Sequence, residues 1–190
     1  NPMKEIGVLL DADYMHPTRK ARNHLRAMAA SNGIPKKRVD EVLELVGLQE
    51  VAKKRVGKFS LGMKQRIGLA GVLLGDPSII MLDEPANGLD PEGIRWIRDF
   101  LSFLAAEGRT IFISSHLLGE IALIADSLIV IGQGKLITQT TVEELTSQAS
   151  GTYTSIVSPQ FESLVDVLKK ENIEFSQLEN EFRVKGLTES

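Results

Sequence analysis

Two adjacent carboxylates, Asp83 and Glu84, follow a short and wholly apolar run at 79–82. Such a run is typical of a strand covered on both faces in a parallel sheet, and ligands of open α/β sheets bind beyond the carboxyl ends of the strands. A carboxylate there can hold Mg²⁺, and a second one beside it can polarise an attacking water molecule. The alternative is a solvated acidic pair that opens a turn at Pro85.

Two further segments carry groups suited to phosphate chemistry. Ser60 and Gly62 begin a predicted helix, where backbone N–H groups at the positive end of the helix dipole form a natural anion site. The alternative for them is simply a well-capped helix. His116 follows the apolar run 111–113 by way of Ser114-Ser115, so it falls at the end of a second predicted strand. A lone histidine is more often structural, which is the alternative for His116.

The elements that must position these groups are those of a doubly wound α/β layer. Apolar runs predict buried strands at 6–10, 79–82, 110–113 and 128–131. Asp90-Pro91 opens a helix between the second and third of these strands, and a further helix is predicted at 117–125. The inner face of the Asp90-Pro91 helix is predicted to consist of Trp96, Phe100, Phe103 and Leu104. Alternating strands and helices favour a parallel sheet.

The remaining segments divide into a helical region and a C-terminal extension. Helices are predicted between about 16 and 75, with stop signals at Gly33 and Gly47 and an N-cap at Ser60. Gly151 looks like a boundary. After it we expect a strand at 152–157, a helix with its apolar face on Phe161, Leu164, Val165 and Leu168, and short strands at 173–175 and 182–184.

Composition excludes several classes of protein. The 190 residues are 43% hydrophobic and 25% charged, which is a globular balance. A net charge of -3 gives no electrostatic case for a nucleic-acid partner. The chain has no cysteine, so it forms neither disulfides nor thiolate metal sites. Its most apolar stretch, 121–131, is broken by Asp126 and is shorter than the ~20 residues that span a bilayer. A membrane role would therefore depend on a partner.

Four motifs in a fixed order resemble the ABC ATPase domain, a P-loop NTPase fold, over nearly all of residues 1–140. They are FSLGM at 59–63, IIMLDEP at 79–85, NGLDP at 87–91 and SSH at 114–116. The resemblance implies ATP and Mg²⁺ as cofactors. It implies that the site residues are Ser60, Leu61, Gly62 and Met63 of the signature motif, Asp83 as the Mg²⁺-supporting Walker B aspartate, Glu84 as the catalytic base, Asn87, Gly88, Leu89 and Asp90 of the D-loop, and His116 as the switch histidine.

The chain departs from the family pattern at three places. Leu61 and Met63 replace a glycine and a glutamine of the commonest signature, a variant that resembles the export-type branch related to bacitracin-resistance and multidrug ATPases. Asp11, or a neighbour, takes the place of the Q-loop glutamine. It can accept a hydrogen bond from Mg²⁺-bound water, and the alternative is a plain loop acid. No G-x-x-x-x-G-K-[ST] phosphate loop occurs. Gly134-Lys135 has neither the upstream glycine nor the following serine or threonine that this loop requires.

We therefore expect an N-terminal part with the phosphate loop to be missing. The expected organisation is a partial ABC ATPase domain at 1–150, with a helical subdomain at about 16–75 and a catalytic α/β part at about 76–150, followed by a small α+β extension at 151–190. Alone, the chain should neither bind ATP tightly nor hydrolyse it. It should expose a sheet edge and apolar surface and self-associate.

The resemblance implies an ATP-hydrolysing subunit that powers export, possibly of a drug or peptide, through a transmembrane permease. Its implied partners are a second ATPase subunit and that permease, with no nucleic acid, at the inner face of the cell membrane. Three alternatives remain open: a soluble ABC ATPase, a catalytically inactive module, and a purely structural domain. The first should show a second cassette, a coiled-coil insertion or a basic surface. The second should lack Glu84 or His116, and the third leaves four ordered motifs unexplained.

Overall fold

The fold is described from a computed structural model of the chain. It describes residues 2–11, 14–116, 119, 123–144, 153–156, 161–170, 173, 175–178 and 181–185. The chain divides into two compact units, residues 1–124 and Ala125–Ser190. The predicted boundary at Gly151 and most of the helix predicted at 117–125 lie outside the described residues, and the expected domain division stays a prediction.

A three-stranded parallel sheet forms the centre of the first unit. Its strands are β1 (Ile6–Leu9), β2 (Ile79–Asp83) and β3 (Thr110–Ser114), in the order β1-β2-β3. Ile6 pairs with Ile79 at one end of the sheet, and Asp83 pairs with Ser114 at the other. Since all three strands are parallel, their carboxyl ends meet at one edge, as the apolar runs predicted.

The two faces of this sheet differ in burial. Ile80 and Leu82 of β2 are buried, whereas Ile79 and Met81 are 37% and 38% exposed. The exposed face continues across the sheet with Ile6, Val8 and Phe112. The prediction that β2 is covered on both faces is therefore wrong for the described residues, and the prediction of exposed apolar surface is confirmed. An apolar run shows that either face of a strand can be buried, but the packing of the other elements decides which face is buried.

A layer of three helices covers the buried face. These are α1 (Ala21–Ser31), α2 (Lys36–Leu45) and α3 (Leu61–Val72), the last continued by a 3-10 turn at Leu73–Gly75. The predicted stops after α1 and α2 and the N-cap of α3 are confirmed. The largest side chains that the layer buries completely are Leu25, Val39, Val42, Leu43, Val46, Ile67, Leu69, Leu73 and Leu74. They pack with Leu9, Ile80 and Leu82 of the sheet in one core.

A fourth helix, α4 (Pro91–Ala106), follows β2. Asp90 caps it, since its Oδ1 accepts a hydrogen bond of 3.0 Å from the backbone N–H of Gly93. Its buried face consists of Ile97, Phe100, Leu101 and Leu104. The predicted inner face is wrong at Phe103, which is 46% exposed. Residues three and four positions apart on a helix share a face, and from Ile97 this spacing leads to Phe100, Leu101 and Leu104. Phe103 was included in the prediction because it is a large aromatic residue, although it lies off this face.

The second unit begins with an antiparallel hairpin of β4 (Ser127–Gly132) and β5 (Lys135–Thr141). The run at 128–131 was predicted as a further strand of the parallel layer, and that is wrong, because among the described strands β4 pairs only with β5. The reversal between them takes place at Gln133 and Gly134. Both have positive φ, 50° and 72°, which suits a tight hairpin turn.

The C-terminal part of this unit is a three-stranded antiparallel sheet with one helix. The strands are β6 (Tyr153–Ile156), β7 (Phe175–Leu178) and β8 (Glu181–Lys185), in the order β6-β8-β7, and the helix is α5 (Phe161–Lys170). Leu168 and Val184 are buried together. The small α+β arrangement is as predicted, although β7 starts where the predicted strand at 173–175 ends.

Candidate functional site

The carboxyl ends of β2 and β3 bring four polar side chains together: Asp83, Glu84, Ser114 and His116. We call these four residues the strand-tip cluster. Ser114 Oγ donates a hydrogen bond to Asp83 Oδ1. His116 Nδ1 lies 2.9 Å from Glu84 Oε1. The two carboxylates that the sequence singled out are thus bonded to Ser114, the last residue of β3, and to His116, two residues beyond it, because parallel pairing sets Asp83 opposite Ser114.

Glu84 has an unusual backbone conformation. Its φ is +44°, in the left-handed region that few residues other than glycine adopt. The backbone N–H of Glu84 lies 3.1 Å from both the carbonyl oxygen and the Oγ of Ser114. These contacts hold the chain as it leaves β2 and turn Glu84 toward His116. Non-glycine residues with this strain cluster at functional sites.

The donors of the strand-tip cluster suit a magnesium ion that is shared with a substrate. Asp83 and Glu84 offer carboxylate oxygens, and Mg²⁺ is commonly bound by one or two carboxylates together with water and substrate phosphates. Among the described residues no group of three or more His, Cys, Asp or Glu side chains forms a metal cage. Two carboxylates at one sheet edge are compatible with a metal ion that is shared with a phosphate ligand.

The start of α3 supplies a second set of groups. Ser60 Oγ accepts a hydrogen bond of 3.3 Å from the backbone N–H of Met63, and Ser60 O accepts one of 3.0 Å from that of Lys64. The first N–H groups of a helix have no partner inside it. Those of Leu61, which is exposed, and of Gly62, which is half-buried, therefore lie at an anion-attracting end of the helix.

The loop between β2 and α4 leads from the strand-tip cluster to the start of α3. Asn87 N–H donates to Glu84 O and Leu89 N–H donates to Ala86 O, at 3.1 and 3.2 Å. Gly88 has φ +72°, and a Cβ added there would lie 3.1 Å from Leu61 Cδ2. The loop thus passes close to the start of α3.

Between α3 and α4 lies a cavity of about 250 Å³, lined by Ser60, Gly62, Met63, Gln65, Arg66, Leu89, Asp90, Glu92, Gly93, Trp96 and Ile97.

Comparison with known proteins identifies this arrangement. Residues 1–87 match the family model described as ABC transporter. The bacitracin transport ATP-binding protein BcrA of Bacillus licheniformis is 47% identical over 145 residues, which are 75% of this chain and 47% of that protein. The lantibiotic transport ATP-binding protein SrtF of Streptococcus pyogenes is 37% identical over 71% of this chain and 59% of its own length. The chain carries part of an ABC transporter ATP-binding domain.

A solved structure supports the same assignment. CbiO1 from Clostridium perfringens, part of the ABC transporter complex CbiONQ, has a TM-score of 0.68 and 30% identity, covering 76% of this chain and 60% of that one. The predicted P-loop NTPase-like α/β fold is thereby confirmed. The chain spans about half the length of the first curated relatives it matches. None of the helices in the described residues has the length and apolarity needed to cross a bilayer.

Two residues that line the candidate site of this ABC ATP-binding chain, Arg66 and Trp96, were not among the site residues predicted from the sequence. The guanidinium carbon of Arg66 lies 4.1 Å from the ring centroid of Trp96, and Trp96 stacks on Phe100 at 4.8 Å. Burial lowers the pKa of Arg66, while nearby Glu92 acts in the opposite direction. Both members of the pair line the α3–α4 cavity. Arg66 lies only three residues after the signature motif, and that spacing on a helix was an available signal.

The remaining predicted residue, Asp11, lies apart from the strand-tip cluster in sequence but near the same edge of the sheet. It is exposed and lies two residues beyond the end of β1. Leu9, the last residue of β1, pairs with Leu82, which precedes Asp83. The use of Asp11 in place of the Q-loop glutamine stays a prediction, as do the roles of the other site residues.

Proposed function

We propose that this chain carries the catalytic acids and the signature helix of the ATP-hydrolysing subunit of an ABC transporter. The observation that supports this most strongly is the 2.9 Å contact between His116 Nδ1 and Glu84 Oε1, beside Asp83. The side chains of His116 and Glu84 are 62% and 33% exposed, so this pair faces solvent and not the core. Its place at the carboxyl edge of a parallel sheet is where α/β proteins bind ligands.

The hydrogen bonds of the strand-tip cluster support a division of labour among its residues. Asp83, held by Ser114, would bind Mg²⁺ through water. When bound with ATP, Mg²⁺ neutralises negative charge on the phosphates. Glu84 orients the attacking water and accepts its proton. His116 restrains the carboxylate of Glu84 by donating a hydrogen bond from Nδ1, and as an imidazolium it can also donate from Nε2 to the terminal phosphate.

The start of α3 would act on ATP held by a second subunit. Its first N–H groups and its dipole attract the terminal phosphate, and the side chain of Ser60 caps the helix. Residues 87–90 then lie at the interface between the two subunits. ATP would close this dimer and hydrolysis would reopen it, which drives a permease between access states.

The names of the relatives support a transport role at the membrane. BcrA is named for bacitracin transport and SrtF for lantibiotic transport. We infer that the cargo of this transporter is likewise a peptide antibiotic or drug, moved by a transmembrane permease to which this chain attaches at the cytoplasmic face.

The test is Glu84→Gln in the complete protein that contains this chain. Loss of the carboxylate should leave ATP affinity near that of the wild type and lower turnover by roughly 10²–10⁴-fold, the range of a general base. ATP affinity is measured by titration and turnover by phosphate release. Glu50→Gln, an exposed acid remote from the motifs in sequence, is the matched control and should keep full turnover. Unchanged turnover in Glu84→Gln would remove Glu84 from the mechanism.

A further inference from the structure

The net charge of -3 conceals two regions of opposite sign. Residues 16–75 contain thirteen Lys and Arg against four Asp and Glu, while the rest of the chain contains nine against twenty-one. A segregation of this size is not needed to fold a domain, because charge bears on solubility and association more than on fold. The basic region includes the segment Lys53-Lys54-Arg55 and Lys58, which none of the motifs explains.

Backbone hydrogen bonds bring two basic segments of this region together. Residues 17–22 and 52–57 run antiparallel, with Ala21 N–H donating to Lys54 O at 3.2 Å and Val56 N–H donating to Arg19 O at 3.0 Å. Lys20 and Arg55 form a bridge pair between them. We call the exposed cations of the paired segments, together with Lys58 directly after them, the basic surface: Arg19, Lys20, Lys53, Lys54, Arg55 and Lys58.

These cations have no counter-ions within the part of the chain that the structure describes. None of the six takes part in an ion pair there. By contrast, nearby Arg22 pairs with Asp40. Lys20 and Arg55 are directly opposed like charges, and such pairs destabilise a ladder. The protein therefore keeps an arrangement that is unfavourable for folding and that an external anion would relieve.

The chemistry of the basic surface indicates what kind of anion. Protein interfaces have an apolar centre depleted of charge, whereas no large hydrophobic side chain of 17–22 or 52–58 is exposed. Proteins that grip single-stranded nucleic acid add aromatic side chains for stacking, and these two segments contain no aromatic residue. A set of exposed cations with no exposed large hydrophobic side chain and no aromatic residue among them suits an extended anionic surface.

We propose that the basic surface binds the anionic phospholipid headgroups of the membrane. The proposal rests on the proposed function for the presence of a membrane beside this chain. Anionic leaflets attract clustered Lys and Arg within a Debye length of the surface. The contact orients the helical layer toward the bilayer independently of the permease and does not require ATP.

The test uses the full chain, without nucleotide, and phosphatidylcholine vesicles with or without phosphatidylglycerol. Co-sedimentation should occur only with phosphatidylglycerol and should weaken as salt is raised. Lys20→Glu with Arg55→Glu should weaken binding by roughly tenfold or more, since each charge contributes about fivefold. The matched control, Lys4→Glu with Lys135→Glu, changes the net charge equally outside the basic surface and should stay within about twofold of the wild type.

Three outcomes would overturn the proposal. They are salt-insensitive or absent binding to phosphatidylglycerol vesicles, an equal loss in the control pair, and tighter binding to a DNA duplex than to the vesicles at the same ionic strength. Circular dichroism checks that the variants fold, and Lys53→Glu with Lys58→Glu provides a second, independent pair that should give the same loss. Because no step uses ATP, failure here leaves the Glu84→Gln test untouched, and failure of that test leaves this one valid.

Discussion

The strand-tip cluster and the start of α3 serve the same proposed chemistry but are built differently. At the strand tips, side chains from neighbouring strands hold one another: Ser114 bonds Asp83, and His116 bonds Glu84. At the start of α3 the working groups belong to the backbone, and the supporting contacts are a serine cap and the approach of Leu61 to Gly88.

This difference predicts which property, turnover or stability, a substitution in each region should change first. Losing one side chain of the strand-tip cluster removes a reacting group or its partner and should affect turnover more than stability. A change near the start of α3 acts on the geometry of the backbone, so it should appear first in the free energy of unfolding. The predictions below test that contrast.

After Glu84→Gln, the largest effect is expected for His116→Ala in the complete protein. Without the imidazole, Glu84 loses its 2.9 Å partner, and turnover should fall roughly hundredfold while the unfolding midpoint in urea hardly moves. His16→Ala, an exposed histidine whose Nδ1 lies 3.0 Å from Thr18 Oγ1, is the control and should keep wild-type turnover. A large loss of stability in His116→Ala would erase the contrast.

Gly88→Ala should act on stability. Left-handed backbone costs a non-glycine residue roughly 1–2 kcal/mol, and the added Cβ would also lie 3.1 Å from Leu61. Gly108→Ala is the matched control, because Gly108 has φ +89° with nothing within 4 Å of an added Cβ. Urea unfolding should show a larger loss at Gly88 than at Gly108. Equal losses would mean that the contact with Leu61 contributes nothing.

Ser60→Ala removes the cap of α3 and should lower the free energy of unfolding by about 1 kcal/mol. Ser60→Asp restores a capping oxygen and should recover most of that loss. In the complete protein, however, the added negative charge would repel the phosphate of the second subunit, so turnover of Ser60→Asp should stay low. Recovery of both properties would argue that Ser60 is only a cap.

The smallest effect concerns Arg66 and Trp96. A double-mutant cycle with Arg66→Met and Trp96→Leu should give a coupling energy of about 0.5–1 kcal/mol, as for other partly exposed cation–π pairs. Trp96→Phe keeps a ring and should retain part of it. Coupling near zero in urea unfolding would show that the 4.1 Å contact is incidental.

The sequence predicted the strand tips well because their signal is local. An apolar run followed by polar residues marks the end of a buried strand, and parallel strands end at one edge, so Asp83, Glu84 and His116 could be expected near one another. The cap at Ser60 is local too. Their hydrogen-bond partners were not predicted, since the bond from Ser114 to Asp83 depends on the register between β2 and β3.

Features that depend on packing were the ones missed. The pairing of β4 with β5 was not read from the run at 128–131, because a short apolar run does not reveal its partner. Phe103 was assigned to the core by size, although Ile97 and Leu101 fill the buried face of α4. Arg66 and Trp96 are thirty residues apart on different helices, so their contact depends on how α3 meets α4.

The left-handed backbone at Glu84 should affect which residue directed evolution selects at this position. Glycine or asparagine would adopt that conformation more easily, so either replacement should make the folded chain more resistant to heat while removing the proposed base. Proteins often give up stability at residues they need for activity. A library selected for thermal resistance alone should therefore lose the acid at position 84, and one selected for turnover should retain it.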